Sequence, residues 1–577
     1  EDVAESVWRE SRAIRLSARL LPFDEYDIEA LPCETAVVFV MATSGQGEFP
    51  PCARTNWKWL LRRSLPRDLL HKVRIAVIGL GDSSYQKYNF AGKKLFRRLL
   101  QLGAQELLPI CLADDQHESG IDGALLPWKD RLWPELSTVF EEMSLTVDPN
   151  EALLSKFELD YGSCENGTVV EDTVGDRYGD LIPVTVLSNE RVTADSHFQD
   201  TRLITFDARG IERLSYSPGD VLMVQPCNPP ESVSIALEAL QYTDAVLDAP
   251  FRARPTDPHV RPLPVDVIGA STTTLRECLH RLFDLQQRPR RSFFELLGAI
   301  AEDEMEREKL LELASAAGQD DYIDYITRTR RTVAETLRDF GKSAASIPPH
   351  RLFDILPRIR PRAFSIASCP RTHGGLVQIL VARVEYRTAR MAEPRRGLCS
   401  TFLARLREGD TVLVRVRAGT FRFPDASRPV VAVGPGTGVA PFRSLFWSRL
   451  RDESSSAASM LFFGCRGRDR DDYFRAEWAD MDSRTDHRIT VHTAYSRDDA
   501  DEEGKRRYVQ HVMLEKRAEL ARILADENAM MFIAGSSGDM PKAVAEAIDL
   551  IAKNERGLDN YSATLEREGR LQFETWD

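Results

Sequence analysis

Over the first 140 residues, short apolar runs alternate with amphipathic stretches, the rhythm of strands separated by helices. Residues 1–15 put Val3, Val7 and Ile14 loosely on one helical face. Val37–Met41 is an apolar strand followed by a Gly-containing loop, and Val73–Gly79 is a second strand, ending in GLGD. Ala91–Leu102 has helical spacing, and Leu107–Leu112 is a strand running into an acidic loop. Such alternation predicts a doubly wound parallel sheet, whose ligands sit at the carboxyl ends of its strands. The loops at 42–50, 79–89 and 112–123 all fall on that edge.

The pattern then changes twice. Residues 145–180 are rich in Asp, Asn, Gly and Ser, carry little periodicity, and read as a linker. Beyond 181, Pro183–Leu187, Thr201–Phe206, Asp220–Gln225, Arg362–Ser368, Val377–Val384 and Thr411–Val416 are short β-rich runs that predict an antiparallel barrel. A helical block at roughly 230–350 interrupts them. From Arg428 the alternation returns, with strands at Val430–Val433, Met460–Phe463, Ile489–His492 and Met531–Ala534. The expected architecture is α/β multidomain. A doubly wound domain spans 1–145, a linker 146–180, a barrel with helical insert 181–427, and a second doubly wound domain 428–577.

Composition narrows the function classes. A net charge of -13 over 577 residues disfavours indiscriminate binding to nucleic acid or anionic lipid, though not a local basic patch. The nine cysteines, at 33, 52, 111, 164, 227, 278, 369, 399 and 465, never fall in C-x-x-C spacing. No metal site or chain-encoded iron–sulfur cage is expected, and the odd, scattered count suits a reducing compartment. No apolar run approaches the roughly 20 residues that span a bilayer.

Val430–Arg443, VVAVGPGTGVAPFR, runs a buried strand into Gly434, Gly436, Thr437 and Gly438 and then a helix. Glycines permit close approach of a pyrophosphate, and the helix N-terminus offers free N–H groups. A tight strand-to-helix turn needs the same glycines, so the bare G-x-G-x-x-G is weak. The longer GPGTGVAPFR resembles the nicotinamide-binding motif of the ferredoxin–NADP reductase superfamily. Arg362-Ala363-Phe364-Ser365 resembles that superfamily's R-x-[YF]-S signature for FAD. The resemblance implies that Arg362 pairs with the flavin phosphate, Phe364 stacks on the isoalloxazine and Ser365 lies near N5. Gly397, Leu398, Cys399, Ser400 and Thr401 open a helix where the family places its FAD pyrophosphate loop. Ser496, Arg497, Arg506, Tyr508 and Gln510 match residues that grip the 2′-phosphate of NADPH, where an acidic residue would suggest NADH. A lone Arg497 would read as a solvated surface charge.

Two further segments complete the match. ATSGQGEFP at 42–50 and GLGDSSYQKYN at 79–89 resemble the FMN-ring loops of diflavin reductases. They imply FMN contacts from Thr43, Ser44, Gly45, Gly47, Gly81, Asp82, Tyr85 and Asn89, with Asp115 bordering the ring. In LQFETWD, Trp576 matches the aromatic that covers FAD, and Glu574 the acid that works with Ser365 in hydride transfer. Ala534 departs from P450 reductase-like members, which carry Cys there.

The chain is thus identified as similar to the diflavin reductases over essentially its whole length. RAFSIAS, FIAGSSGDMP and LQFETWD place it nearest the cytosolic branch that serves iron–sulfur protein assembly. That branch implies FAD, FMN and NADPH as cofactors, a cytoplasmic location and an anamorsin-like iron–sulfur acceptor, with the linker letting the FMN domain swing. The first flavodoxin strand and its phosphate loop would precede Glu1, so weak or absent FMN binding is expected of this polypeptide. The rivals are a P450 reductase-like enzyme of the endoplasmic reticulum and a non-catalytic scaffold derived from such a reductase.

Overall fold

A computed structural model describes residues 1–45, 47–85, 87–140, 155–161, 181–257, 260, 262–264, 272–391, 393–452, 456–499, 504 and 506–576. The chain divides into two compact units. The first comprises residues 1–169, 230–263 and 270–358, and the second residues 170–229, 264–269 and 359–577. The helical insert therefore packs with the N-terminal domain, and the barrel with the C-terminal domain.

In the first unit, β1 (Ala36–Ala42), β2 (Arg74–Gly81), β3 (Gln105–Glu106) and β4 (Cys111–Asp114) form a parallel sheet, in which β2 pairs with each of the other three strands. β2 reads as a continuous apolar run because both its faces are covered. Ile75 and Val77 enter one core, with Leu95 and Leu99 of the helix Phe90–Gln101. Ala76 and Ile78 enter the other, with Val3 and Val7 of the helix Asp2–Ala13 and Trp128 and Leu132 of the helix Asp122–Ser137. The expected strand at 107–112 is shorter and later: it is confined to β4, and Pro109, which has no N–H to give a ladder, precedes it.

The linker reading needs correction. Residues 145–154 and 162–180 lie outside the described residues, but Phe157–Asp160 is a strand, β5, antiparallel to β9 (Arg252–Pro255) of the insert. Phe157 is fully buried, 5.5 Å from the ring of Phe353, and the Asp354 carboxylate accepts the Lys156 N–H at 2.9 Å. One buried aromatic in a polar stretch is too little periodicity to read as a strand. Charge also fastens the insert. Buried Arg291 donates to Asp122 at 2.7 Å and to the carbonyls of Leu313 and Ser315.

In the second unit, β6 (Ile182–Arg191), β7 (Thr201–Asp207), β8 (Val221–Gln225), β10 (Arg362–Ser365), β11 (Leu376–Ala382) and β14 (Thr411–Arg417) form an antiparallel sheet of order β10-β8-β14-β6-β7-β11. It curls into a barrel: just past β10, Ile366 bridges Ile379 of β11, and the Ala367 N–H donates to Gln378 O at 2.8 Å. A two-stranded ribbon, β12 (Glu385–Tyr386) with β13 (Arg395–Arg396), leads into the helix Leu398–Arg405. β15 (Val430–Val433), β16 (Ser459–Cys465), β17 (Ile489–Tyr495), β18 (Met530–Ser536) and β19 (Leu571–Trp576) form a parallel sheet of order β17-β16-β15-β18-β19. Along β15, Val430 and Ala432 face one core and Val431 and Val433 the other.

Among the described residues no helix is long and apolar enough to cross a membrane, and no group of His, Cys, Asp or Glu is arranged to hold a metal ion. Replacing Phe157 with Ala should cost about 3–5 kcal/mol by leaving a cavity. Urea unfolding checks this, and an unchanged midpoint would show that β5 contributes nothing to the first unit.

Candidate functional site

The second unit brings three of the expected motifs together. After β15 the chain turns through Gly434 and Pro435, makes a 3-10 turn at Gly436–Val439 and enters the helix Ala440–Leu450. The three glycines serve different ends. A Cβ on Gly434 would lie 2.7 Å from Gly438 O, and one on Gly438 would overlap Ala534 O outright. These two are demanded by packing, which is the tight-turn explanation of the motif. Gly436 has φ +58°, and a Cβ placed on it would meet nothing within 4 Å, so its left-handed backbone faces open space suited to a pyrophosphate. Arg443, which ends the motif, is buried and faces away from nucleotide chemistry. It grips both Glu477 oxygens at 2.8 and 2.9 Å and donates to Ala367 O and Gln378 Oε1, fastening the nucleotide domain to the barrel.

On the barrel, Arg362 is exposed and Phe364 packs, half-buried, against the barrel core. Gly397 caps the helix Leu398–Arg405, whose first N–H groups have no partner within the helix. Burial pushes the Cys399 thiol up to about 12, and the charge of Arg362 opposes that shift. Thr401 is buried, and its Oγ1 has no hydrogen-bond partner. An anion-seeking guanidinium, open N–H groups and an unmet hydroxyl fit the FAD pyrophosphate. Sequence reasoning missed Val384 and Tyr386. Both are exposed, and the Val384 N–H donates to Ser400 Oγ at 3.1 Å, which sets an apolar wall beside the helix entry. Their signal was weak: two apolar residues within an arginine-rich hairpin.

Ser496 and Arg497 follow β17, and Tyr508 caps the helix Val509–Glu515, which contains Gln510. The Ser496 hydroxyl donates to Cys465 O at 3.1 Å. Arg506 and Arg497 both hydrogen-bond the Tyr508 hydroxyl and hold the phenol below its usual range. Among the described residues neither guanidinium is paired with a carboxylate, as a phosphate site requires.

The C-terminal segment was not expected to be a strand, because LQFETW alternates apolar and polar residues over only six positions. It forms β19, in which Glu574 lies opposite Ala534 and Trp576 opposite Ser536. Trp576 is half-buried on the cluster containing Ala367, Phe421 and Ala534. Ser365 Oγ donates to Glu574 Oε1 at 2.6 Å, while Glu574 Oε2 is buried without a partner. Burial raises the Glu574 pKa above the ordinary carboxylate range, and the Ser365 bond only partly offsets it. One unbroken path of contacts therefore joins the nucleotide loop to the barrel motif: Gly438 on Ala534, Ala534 beside Glu574, Glu574 bonded to Ser365.

In the first unit the expected loops meet at the carboxyl ends of β1, β2 and β4. Thr43 Oγ1 accepts the Ala91 N–H at 3.3 Å, and Ser44 pairs with Glu48 across a turn in which Gly45 has φ +47° and Gly47 φ +79°. Asp82 accepts from the Ser84 N–H and from Gln116 Nε2, binding the 79–89 loop to the 112–123 loop. Tyr85 is half-buried and Asp115 exposed. Asn89 is fully buried against Gly81 and donates to Ala113 O at 3.0 Å, so its side chain braces the loops rather than lining an open surface. Sequence reasoning passed over Asp114. Its carboxylate accepts the Ser83 and Gln116 N–H groups, and these bonds overcome burial to hold it below the usual range.

Family models agree with this order: a flavodoxin matches residues 1–128, a FAD binding domain 179–402 and an oxidoreductase NAD-binding domain 432–546. The chain is 41% identical to NADPH-dependent diflavin oxidoreductase 1 of Bos taurus, over 100% of this chain and 97% of that protein. The protein of the same name from Danio rerio is 39% identical over 100% and 97%, and that from Candida albicans 34% over 96% and 94%. The chain belongs to the NADPH-dependent diflavin oxidoreductases. It is an NADPH-dependent flavoprotein oxidoreductase, and FAD, FMN and NADPH are the cofactors of its three nucleotide-binding domains.

Gly436→Ala should leave the melting temperature within a few degrees while weakening NADP+ binding, whereas Gly438→Ala, with no room for its methyl, should lower the melting temperature sharply. Thermal scans with and without NADP+ separate the two, and equal effects would mean the glycines share one role. Glu574 gives a pH test. Its raised pKa favours the protonated fold, so that stabilisation is complete below about pH 4.3 and fades as pH rises through the higher folded value. Relative to Glu574→Gln, the natural protein should therefore lose melting temperature between pH 5 and pH 8. A constant difference across that range would show the carboxyl to be ordinarily solvated.

Proposed function

We propose that this diflavin oxidoreductase delivers the electrons of NADPH to an iron–sulfur protein of the anamorsin kind, in the cytoplasm. The observation that carries the reading is the 2.6 Å bond from Ser365 to Glu574, which ties the FAD-type strand to the last strand of the nucleotide domain. The flavins, when bound, supply the conversion of a hydride's electron pair into single electrons, the form an iron–sulfur cluster accepts. The chain's residues supply orientation and electrostatics. Arg362 and the N–H groups at Leu398–Ser400 hold a pyrophosphate, with Thr401 as an added donor. Arg497, Arg506 and Tyr508 hold a 2′-phosphate and so select NADPH over NADH. Glu574, whose pKa burial raises, fixes the rotamer of Ser365, and Trp576 closes the same edge of the sheet. The branch-specific segments RAFSIAS, FIAGSSGDMP and LQFETWD support the iron–sulfur acceptor.

Two measurements test the reading. Removing Arg497 and Arg506 together should cut the preference for NADPH over NADH by about tenfold or more, since a charge-assisted hydrogen bond is worth roughly 1.5–3 kcal/mol. An anaerobic mixture of the flavin-loaded protein, NADPH and an anamorsin-like [2Fe–2S] protein should bleach the cluster's visible absorption. Flavins that are reduced while the cluster stays oxidised would defeat the proposed acceptor.

A further inference from the structure

Within the acidic chain, the segment 54–98 is strongly basic. Residues 54–98 hold 12 Lys and Arg against two Asp and Glu, whereas the whole chain holds 76 against 89. The fold gathers much of this charge on one face of the first unit. Lys58, Arg62 and Arg63 come from the helix Arg54–Leu60 and the turn after it, and Lys94 and Arg97 from the helix Phe90–Gln101; all five are exposed. The two elements lie side by side: Arg98 Nε donates to Leu60 O at 2.7 Å and Nη2 to Arg62 O at 3.2 Å. Among the described residues none of these five pairs with a carboxylate. Two large apolar side chains stand in the same region, Leu61 at 51% and Phe90 at 37% exposure.

This face borders the loop at 42–50. Lys94 Nζ donates to Gly47 O at 3.2 Å, and Phe49 of that loop stacks on Trp57 of the basic helix, ring centres 4.2 Å apart. We infer that the basic face beside this loop is the docking surface for an acidic electron-accepting protein. The inference rests on the proposed delivery of electrons to a protein acceptor, and takes the flavodoxin-like first unit as their outlet. Unpaired cations seek carboxylates, and Leu61 and Phe90 give a protein partner an apolar anchor that a phosphate backbone would not use. The net charge of -13 on the chain as a whole repels polyanions that lack a matching shape.

The test uses two haem proteins of opposite charge, the acidic soluble domain of cytochrome b5 and basic cytochrome c, with the flavin-loaded full chain. At low ionic strength, reduction of cytochrome b5 should be fast and should slow as salt is added. The triple variant Lys58→Glu, Arg62→Glu, Arg97→Glu should slow it by about tenfold or more and speed cytochrome c, with flavin bleaching by NADPH unchanged. Calorimetric titration with oxidised cytochrome b5 reads docking without electron flow. Binding lost in the variant supports the surface even if no haem is reduced, and absent reduction then counts against the electron-outlet reading alone. Equal binding by both proteins overturns the inference. So does binding to phosphatidylserine vesicles or duplex DNA that the variant abolishes while cytochrome b5 binding persists.

Discussion

The organisation of the second unit depends on one close approach, that of Gly438 to the backbone of Ala534. A Cβ at Gly438 would collide with Ala534 O, so only glycine lets the nucleotide loop rest on β18. That contact sets the height of the loop above the sheet. β19 pairs with β18 in register, which places Glu574 beside Ala534, and Glu574 reaches Ser365 on the barrel. A shift of the loop would propagate through backbone ladders, which are stiff, rather than through side chains, which adapt. Hydride transfer needs its reacting atoms held within a few tenths of an ångström, and rigid elements meet that demand better than loops do.

The arginines divide into two kinds. Arg443 is buried and fully used, with a bidentate carboxylate and two carbonyl-type acceptors, and losing one partner of such a set would cost about 3–5 kcal/mol. Arg291 does the same work in the first unit, joining the insert to Asp122. Arg497 and Arg506 are held at the surface on the Tyr508 hydroxyl, a neutral oxygen. A guanidinium satisfied by neutral acceptors keeps its charge available to an anion. Structural arginines complete their own circuits; Arg497 and Arg506 keep a charge that no carboxylate among the described residues neutralises.

Much of this was legible in the chain, and the failures have physical causes. β15 has the residues its pattern predicts, because a strand buried on both faces is a continuous apolar run bounded by turn residues. β5 and β19 were missed because each has few apolar positions and draws its order from a partner distant in sequence, Arg252–Pro255 for one and β18 for the other. No local window contains that partner. The candidate site divides in the same way. Glycine-rich turns announce themselves, but sequence cannot separate a glycine required by packing from one facing open space, as Gly438 differs from Gly436. Asn89 read as a ligand contact and is a brace, since a polar side chain in a loop gives no sign of which way it turns. Asp114 was passed over beside Asp115 for the same reason.

The charge distribution adds a constraint of range. At physiological salt a field decays over about 8 Å, so a distant molecule meets a screened, acidic protein. The basic face acts only within that distance, after encounter and before contact. Its role is then orientation more than capture: it turns an approaching acidic surface toward the loop at 42–50, while the surrounding negative charge discourages approach elsewhere. A uniformly basic domain would attract more partners and hold them in more orientations. For one-electron transfer, whose rate falls steeply with separation, a few well-placed cations beside the outlet are worth more than a large favourable field.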